Sequence, residues 1–370
     1  MSYREKVTLP GPKKLLALDG GGIRGVLSLE VLAAIERTLR LALNADDSFV
    51  LADYFDYVAG TSTGAIIAAG LAIGMSVDEI RILYTRHGVE MFDRAAISKR
   101  FKYRYDSTRL KGLLQRTFGA ETTFGDERLR TLLMMVLRNA TTDSPWPLSN
   151  NPAAKFNQPE VPDNNLHLPL WQLVRASTAA PTFFPPESVS IGGRNFVFVD
   201  GAMTTYNNPS FQLFLMATLD VYKLGWKADE HELLLVSVGT GTSPRANANL
   251  QPGHMNMLFN ASSIPAGLLS AALAEQDMLC RVFGRCRHGS AIDAEVGDLR
   301  AGPGVLDRRM FSYLRYNAEL TRQGLDDLGL HDIQPEHVQR LDSVEHIGGL
   351  QRVGMRVGMQ VRRDHFEGFI

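Results

Sequence analysis

Cysteine is almost absent from this chain, with Cys280 and Cys286 the only two in 370 residues. Neither belongs to a Cys-x-x-Cys pair and no His pair stands at metal-ligand spacing. A disulfide framework, a metal and a cofactor are therefore unexpected, and a reducing, cytoplasmic compartment is the default. A surplus of charge is missing too. Lys and Arg number 39 against 40 Asp and Glu, a formal net charge of −1, which leaves no footprint for a nucleic-acid polymer. Long apolar runs are also lacking. Residues 58–74 come nearest to a membrane span, but Thr61, Ser62 and Thr63 interrupt them, and a buried helix fits better. The opening Met1-Ser2-Tyr3-Arg4-Glu5-Lys6 has no apolar run behind it, so no secretory signal is expected. Any contact with a bilayer is then expected to be peripheral.

What is present is 45% hydrophobic content, ample for a buried core at this length, in alternating strand-like and helix-like segments. Strand-like runs fall at residues 15–18, 54–58, 132–137, 196–199 and 233–238, with helical stretches between them, as a wound α/β sheet requires. Ser76 and Glu79 have the spacing of a capping box and predict a helix start. Residues 140–166, rich in Asn, Pro, Asp and Ser, are expected to be a long surface excursion. The character changes near Pro335. The expected organisation is a catalytic domain over 1–330 and a helical extension over 331–370 packed on it.

Three motifs carry chemistry. In Gly60-Thr61-Ser62-Thr63-Gly64 a hydroxyl flanked by glycines follows a β-like run and opens a small-residue helix. That is the layout of a nucleophile elbow, a sharp strand-to-helix turn that raises a serine above a sheet at a helix N-terminus. In Leu15-Leu16-Ala17-Leu18-Asp19-Gly20-Gly21-Gly22-Ile23-Arg24-Gly25 an apolar strand runs into a glycine loop. Its exposed amides suit an oxyanion or a phosphate, with Arg24 adding a fixed positive charge. In Asn195-Phe196-Val197-Phe198-Val199-Asp200-Gly201-Ala202 a strand delivers a carboxylate to its end, after a Gly192-Gly193 hairpin turn. Asp200 is either an ordinary turn residue or the base that a serine nucleophile needs.

Taken together and in this order, the chain resembles the patatin-like phospholipases, serine acylhydrolases built around a Ser-Asp dyad. Their DGGGxRG loop reads here as Asp19 to Gly25, their GxSxG elbow as Gly60 to Gly64, and their DGG/DGA motif as Asp200-Gly201-Ala202. A fourth similar stretch runs from Ala176 to Pro185. The resemblance implies a three-layer α/β/α fold around a mixed, mostly parallel sheet. It implies Ser62 as nucleophile, Asp200 as general base and the amides of Gly20, Gly21 and Gly22 as oxyanion hole. Gly60, Gly64 and Gly201 would support the turns, and Arg24 would hold the loop or meet a lipid phosphate. The implied substrate is a membrane phospholipid, reached by peripheral association with the inner membrane. Bacterial members switched on by cyclic nucleotides in antiphage defence look similar, which makes a cyclic-nucleotide activator an expectation, although no motif marks its site.

Rival readings exist. Gly20, Gly22 and Gly25 also satisfy GxGxxG, but the acidic residues Asp46 and Asp47 follow a helix-like run where a dinucleotide fold would end a second strand. A catalytically silent lipid-binding relative is a further alternative. An α/β-hydrolase triad would place a histidine after the acid. His231, His254, His288, His331, His337, His346 and His365 all follow Asp200, and none has suitable flanks. For a membrane face, two stretches qualify: the cation-aromatic strip from Lys99 to Asp106, or the tail from Val353 to Arg363. The strip reads equally as aromatics packed inward, and the tail fits a segment packed on the domain better.

Overall fold

The computed structural model describes residues 2–91, 103–243, 251, 255–301 and 305–370. In chain order its helices are α1 (Tyr3–Thr8), α2 (Gly25–Ala42), α3 (Leu51–Tyr54), α4 (Thr63–Ala72), α5 (Val77–Met91), α6 (Ser107–Phe118), α7 (Leu170–Ser177), α8 (Ser210–Thr218), α9 (Met257–Phe283), α10 (Arg322–Asp327), α11 (Pro335–Gln339) and α12 (Ile347–Gly358). The strands are β1 (Lys13–Leu18), β2 (Tyr57–Thr61), β3 (Leu132–Asn139), β4 (Ser144–Ser149), β5 (Glu187–Ile191), β6 (Arg194–Asp200), β7 (Leu233–Val238), β8 (Arg285–His288) and β9 (Ser312–Tyr316).

These nine strands form one mixed sheet with helices on both faces. Six are parallel in the order β3-β2-β1-β7-β9-β8, while β4, β5 and β6 pair antiparallel. Strands β2 and β7 are buried at every position. Parallel strands covered on both faces read as unbroken apolar runs, which is why residues 15–18 and 233–238 are plain in the sequence. The chain moves from β1 to β2 to β3 on one side and later returns to β7 on the other side of β1. That reversal creates a crevice at the carboxyl end of β1, where ligands of open α/β sheets gather.

One edge of β3 places the site. β4 covers residues 134–139 of β3, so β2, paired with 132–136, and β6, paired with 137–139, must share the opposite edge. β2 ends with Thr61 opposite Val136, and β6 arrives from the other direction with Asp200 opposite Leu137. Ser62 and Asp200 are thus delivered end to end.

Two sequence expectations need correction. The strand expected at 54–58 lies at Tyr57–Thr61, because 51–54 form α3 and Asp56 holds the strand entry by exchanging two bonds with the Lys14 backbone, both 2.8 Å. The surface excursion at 140–166 contains β4 and a buried asparagine network. Pro145 and Pro147 argue against a strand, yet an edge position tolerates them. Asn150, Asn151, Asn157, Asn164 and Asn165 are buried, with Asn157 donating to the carbonyls of Ser149 and Asn151 at 2.7 Å. The capping box appears as expected: Ser76 N–H donates to Glu79 at 2.8 Å and Glu79 N–H to Ser76 Oγ at 3.3 Å.

The tail packs on the domain. α12 lies on α2, and its glycines are the close approach: a Cβ at Gly354 would strike the Leu27 carbonyl and the Glu30 side chain. Of the cation-aromatic strip, residues 99–102 lie outside the described residues. Tyr105 is buried, ringed by Phe183 and Phe184, and donates to Asp342 at 2.9 Å. Gly354→Leu should therefore destabilise the protein by about 1–3 kcal/mol through overpacking, read as a lower thermal midpoint, while Gly348→Ala, with open space at its Cβ, should leave it unchanged.

Candidate active site

Ser62 has φ 54° and ψ −122°, a left-handed conformation that a non-glycine residue adopts only where its surroundings enforce it. Those surroundings are visible. A Cβ at Gly60 would strike the Gly64 carbonyl, and one at Gly64 would strike the Leu18 carbonyl, so the turn closes only with glycine at both flanks. The Ser62 N–H donates to Ser177 Oγ at 3.0 Å, and the Ser177 hydroxyl donates to the Val136 carbonyl at 2.7 Å. Ser177 thereby ties the elbow to β3. Helix α4 begins at the next residue, which points its N-terminal amides and positive end at the serine.

Asp200 meets Ser62. The Ser62 hydroxyl donates to Asp200 Oδ2 at 2.7 Å, and the Ala202 N–H donates to Oδ1 at 2.8 Å. Asp200 is 2% exposed and Ser62 8%. Burial pushes the Asp200 carboxyl up to about 6, opposed by the bonds from Ser62 and Ala202 and by the Arg175 charge. Arg175 is itself buried, with Nη2 donating to the Pro185 carbonyl at 2.8 Å and its ring neighbour Phe184 below the guanidinium. No histidine bonds to Ser62 or Asp200 among the described residues. The hydroxyl and the carboxylate are thus in contact, and burial raises the carboxyl above its ordinary range.

The glycine loop is pinned from several elements. Asp19 at its foot takes two bonds from the Arg315 guanidinium of β9, at 2.9 and 2.5 Å. Burial pushes the Asp19 carboxyl up, and the Arg315 charge and its bonds act against that. Thr240, after β7, donates to the Gly20 carbonyl at 2.8 Å, and the Ile23 N–H donates to the Leu341 carbonyl at 2.9 Å. Gly22 has φ 58° and faces that same carbonyl so closely that no Cβ fits.

Gly20 has a different part from the one expected of it. Its N–H donates to the Asn207 carbonyl at 3.1 Å, so it anchors the loop and has no proton left for an oxyanion. Among the described residues the amides of Gly21 and Gly22 have no acceptor, and that of Thr63, at the start of α4, has none either. These three can face a developing negative charge. Arg24 is turned away from the serine. Its Nη1 donates to Ser243 Oγ at 3.1 Å and to the Gln339 carbonyl at 3.4 Å, and burial pushes it down to about 10. Of its two expected roles, holding the loop is the one this geometry favours. Gly201 seats the end of β6 against β3, where a Cβ would strike the Val136 carbonyl. At the end of β2, where a dinucleotide fold presents an acid, the chain has Thr61-Ser62.

The patatin-like phospholipase family matches residues 16–214, more than half of the chain. The chain belongs to that family. An intracellular phospholipase A2 of Caenorhabditis elegans is 34% identical over 236 residues, covering 62% of this chain and 20% of that protein. A cGAMP-activated phospholipase of Escherichia coli (strain TW11681) is 31% identical over 234 residues, covering 61% of this chain and 62% of that protein. The chain thus spans less than two thirds of these relatives. Among solved structures, VipD from Legionella pneumophila matches with a TM-score of 0.44 at 15% identity, over 95% of this chain and 67% of that one.

Sequence reasoning named Ser62 and Asp200, which the structure brings into contact, but missed Ser177, Asn207, Arg315 and the Leu341 carbonyl. Ser177 lies in the Ala176 to Pro185 stretch already singled out, which was its signal. Arg315 had none. Ser177→Ala should leave the Ser62 amide buried without an acceptor, a loss of about 1–3 kcal/mol in stability, with turnover of an ester substrate reduced because the elbow loses its tie to β3. Denaturant titration and initial rates on the same preparation check both.

Proposed function

We propose that this chain is a serine acylhydrolase that cleaves ester bonds of membrane phospholipids. The observation that carries the reading is the Ser62 hydroxyl donating to Asp200 Oδ2 at 2.7 Å from a strained turn at a helix N-terminus. Family membership supports the substrate class. Asp200 takes the Ser62 proton as Oγ attacks the ester carbonyl carbon, and the carbonyl oxygen becomes an oxyanion held by the amides of Gly21, Gly22 and Thr63. Collapse breaks the ester bond, and the leaving alcohol takes the proton from Asp200. A water then gives its proton to Asp200 and attacks the acyl-enzyme, releasing fatty acid and returning the proton to Ser62. The work is placed in the cytoplasm, with peripheral contact at the inner membrane.

Because Asp200 must be ionised to act, log kcat/KM should rise with pH with a slope near one below about 6 and level off above it. A profile flat through that range would remove Asp200 as the base. Ser62→Ala and Asp200→Ala should each abolish nearly all turnover, and the double variant should be little worse than either, since the two act as a unit. A fluorophosphonate should label Ser62 in the native protein. Absence of labelling in a folded protein favours the silent lipid-binding relative.

The likeness to a protein named for cGAMP activation supports a second layer, control of this activity by a cyclic nucleotide in antiphage defence. Phospholipid hydrolysis by the purified protein should then be negligible until a cyclic di- or trinucleotide is added. Equal rates with and without a panel of them would remove that layer.

A further inference from the structure

The first half of helix α9 has no charged side. A surface helix ordinarily turns its apolar stripe to the core and its charged side to water. From Met255 to Ala274 the chain has no Asp, Glu, Lys, Arg or His at all. Met257, Ile264 and Leu268, at positions i, i+7 and i+11, lie on one stripe of the helix, and they are 86%, 55% and 67% exposed. Phe259, Ala266, Leu269 and Leu273 lie on the opposite side and are half-buried. Of the residues between 255 and 275 whose side chains are described, none is buried, so this half of the helix carries apolar side chains on both sides and leaves one of them exposed.

Its position is set by the sheet. The chain passes from β7 through α9 to β8, and β7, β9 and β8 are parallel, so α9 runs from the carboxyl edge of the sheet down to the amino edge. The foot is fixed: the Phe283 carbonyl accepts the Met310 N–H at 2.9 Å, just before β9, and Asp277 accepts the Tyr313 hydroxyl at 3.0 Å. Gln276, Cys280 and Arg281 are the buried residues of this end. A helix rises about 1.5 Å per residue and a strand about 3.3 Å, so α9 passes the end of β9 near residue 273 and stands roughly 20 Å beyond it. That overhang is on the carboxyl edge, the edge that carries Ser62, Asp200 and the glycine loop.

We infer that residues 255–274 are the element that seats this protein on a phospholipid surface, with the stripe of Met257, Ile264 and Leu268 entering the boundary between headgroups and acyl chains. The inference rests on the phospholipid acylhydrolase reading. Absence of charge selects the occupant: a stretch without one ionisable group has no charge to desolvate when it enters an apolar boundary, and it lies on the edge from which an ester of that surface must reach Ser62. No helix among the described residues is long and apolar enough to cross a membrane, so the helix lies in the interface.

The test uses the full chain carrying Ser62→Ala, so that lipid stays intact, with sedimentation on phosphatidylethanolamine and phosphatidylglycerol vesicles. Adding Ile264→Glu with Leu268→Glu should weaken partitioning at least about tenfold, with the thermal midpoint unchanged because both positions are exposed. Partitioning of the parent should persist between about 0.1 M and about 1 M salt, since no exposed charge mediates it. An environment-sensitive fluorophore on Leu268→Cys should shift to the blue with vesicles. Undiminished partitioning of the double glutamate variant, loss of binding at high salt, or an unshifted fluorophore overturns the inference. So does a lipid-free dimer, seen by light scattering, that the same substitutions dissociate, because the stripe then covers a second copy. Turnover of a dispersed short-chain ester by the wild-type protein separates the two readings. If it is absent both with and without a panel of cyclic di- and trinucleotides while vesicles are bound through α9, the hydrolase reading fails and the seat stands. If it is present while binding ignores α9, the seat alone fails.

Discussion

A single edge of β3 brings a hydroxyl and a carboxylate 138 positions apart into contact. Two strands share that edge end to end, β2 climbing to Thr61 and β6 descending to Asp200. The arrangement needs an antiparallel strand set against the parallel part of the sheet, and it explains why the acid is delivered by a hairpin: β5 and β6 must turn back within a few residues to meet the end of β2. The close seat of Gly201 on the Val136 carbonyl and the Ser177 link from Val136 to the Ser62 amide use the same stretch of β3. β3 is a ruler against which both halves of the dyad are measured.

The glycine loop depends on distant parts of the chain in a comparable way. Asn207, Thr240, Arg315 and Leu341 each hold one of its groups, and they come from three separate connections and strand β9. The C-terminal segment is part of this support. The Leu341 carbonyl takes the Ile23 amide, Gln339 and Ser243 hold Arg24, and α12 clamps α2, the helix that the loop opens. A loop made chiefly of glycine has large freedom to lose on ordering, and these contacts fix it before substrate arrives, leaving free the amides that face the reacting atom.

What was legible in the sequence follows from the range over which each signal acts. The elbow, the loop and the strand carrying Asp200 are local: steric need for glycine and apolar strand runs are written within ten residues. The parallel strands β1, β3 and β7 were legible as apolar runs, whereas β9, buried at every position, was not expected, because Ser312 and Arg315 break its apolar run. The start of β2 was misplaced because 51–55 are as apolar as a strand, and only the bonds between Asp56 and Lys14 show where pairing begins. β4 was hidden because Pro145 and Pro147 are acceptable solely at an edge. Arg315 opposite Asp19, separated by 296 positions, left no mark at all, since a buried ion pair is decided by what the fold brings together. Gly20 was expected to be an oxyanion donor from the family resemblance, whereas its amide is taken by the Asn207 carbonyl, a fact of tertiary contact.

The same burial that shapes the dyad determines how a substrate reaches it. Two open grooves lie elsewhere, one of about 670 Å³ between α2, the start of α5 and the end of α12, and one of about 550 Å³ around His231, Arg287 and Phe369. Ser62 and Asp200 are nearly closed to solvent, and desolvation is the largest influence raising Asp200 toward neutrality. A site opened to bulk water would give up that influence and leave Asp200 a weaker base. Under the proposed hydrolysis, an ester presented from an apolar surface would keep water away while it enters, and so preserve the carboxylate basicity that attack on its carbonyl requires.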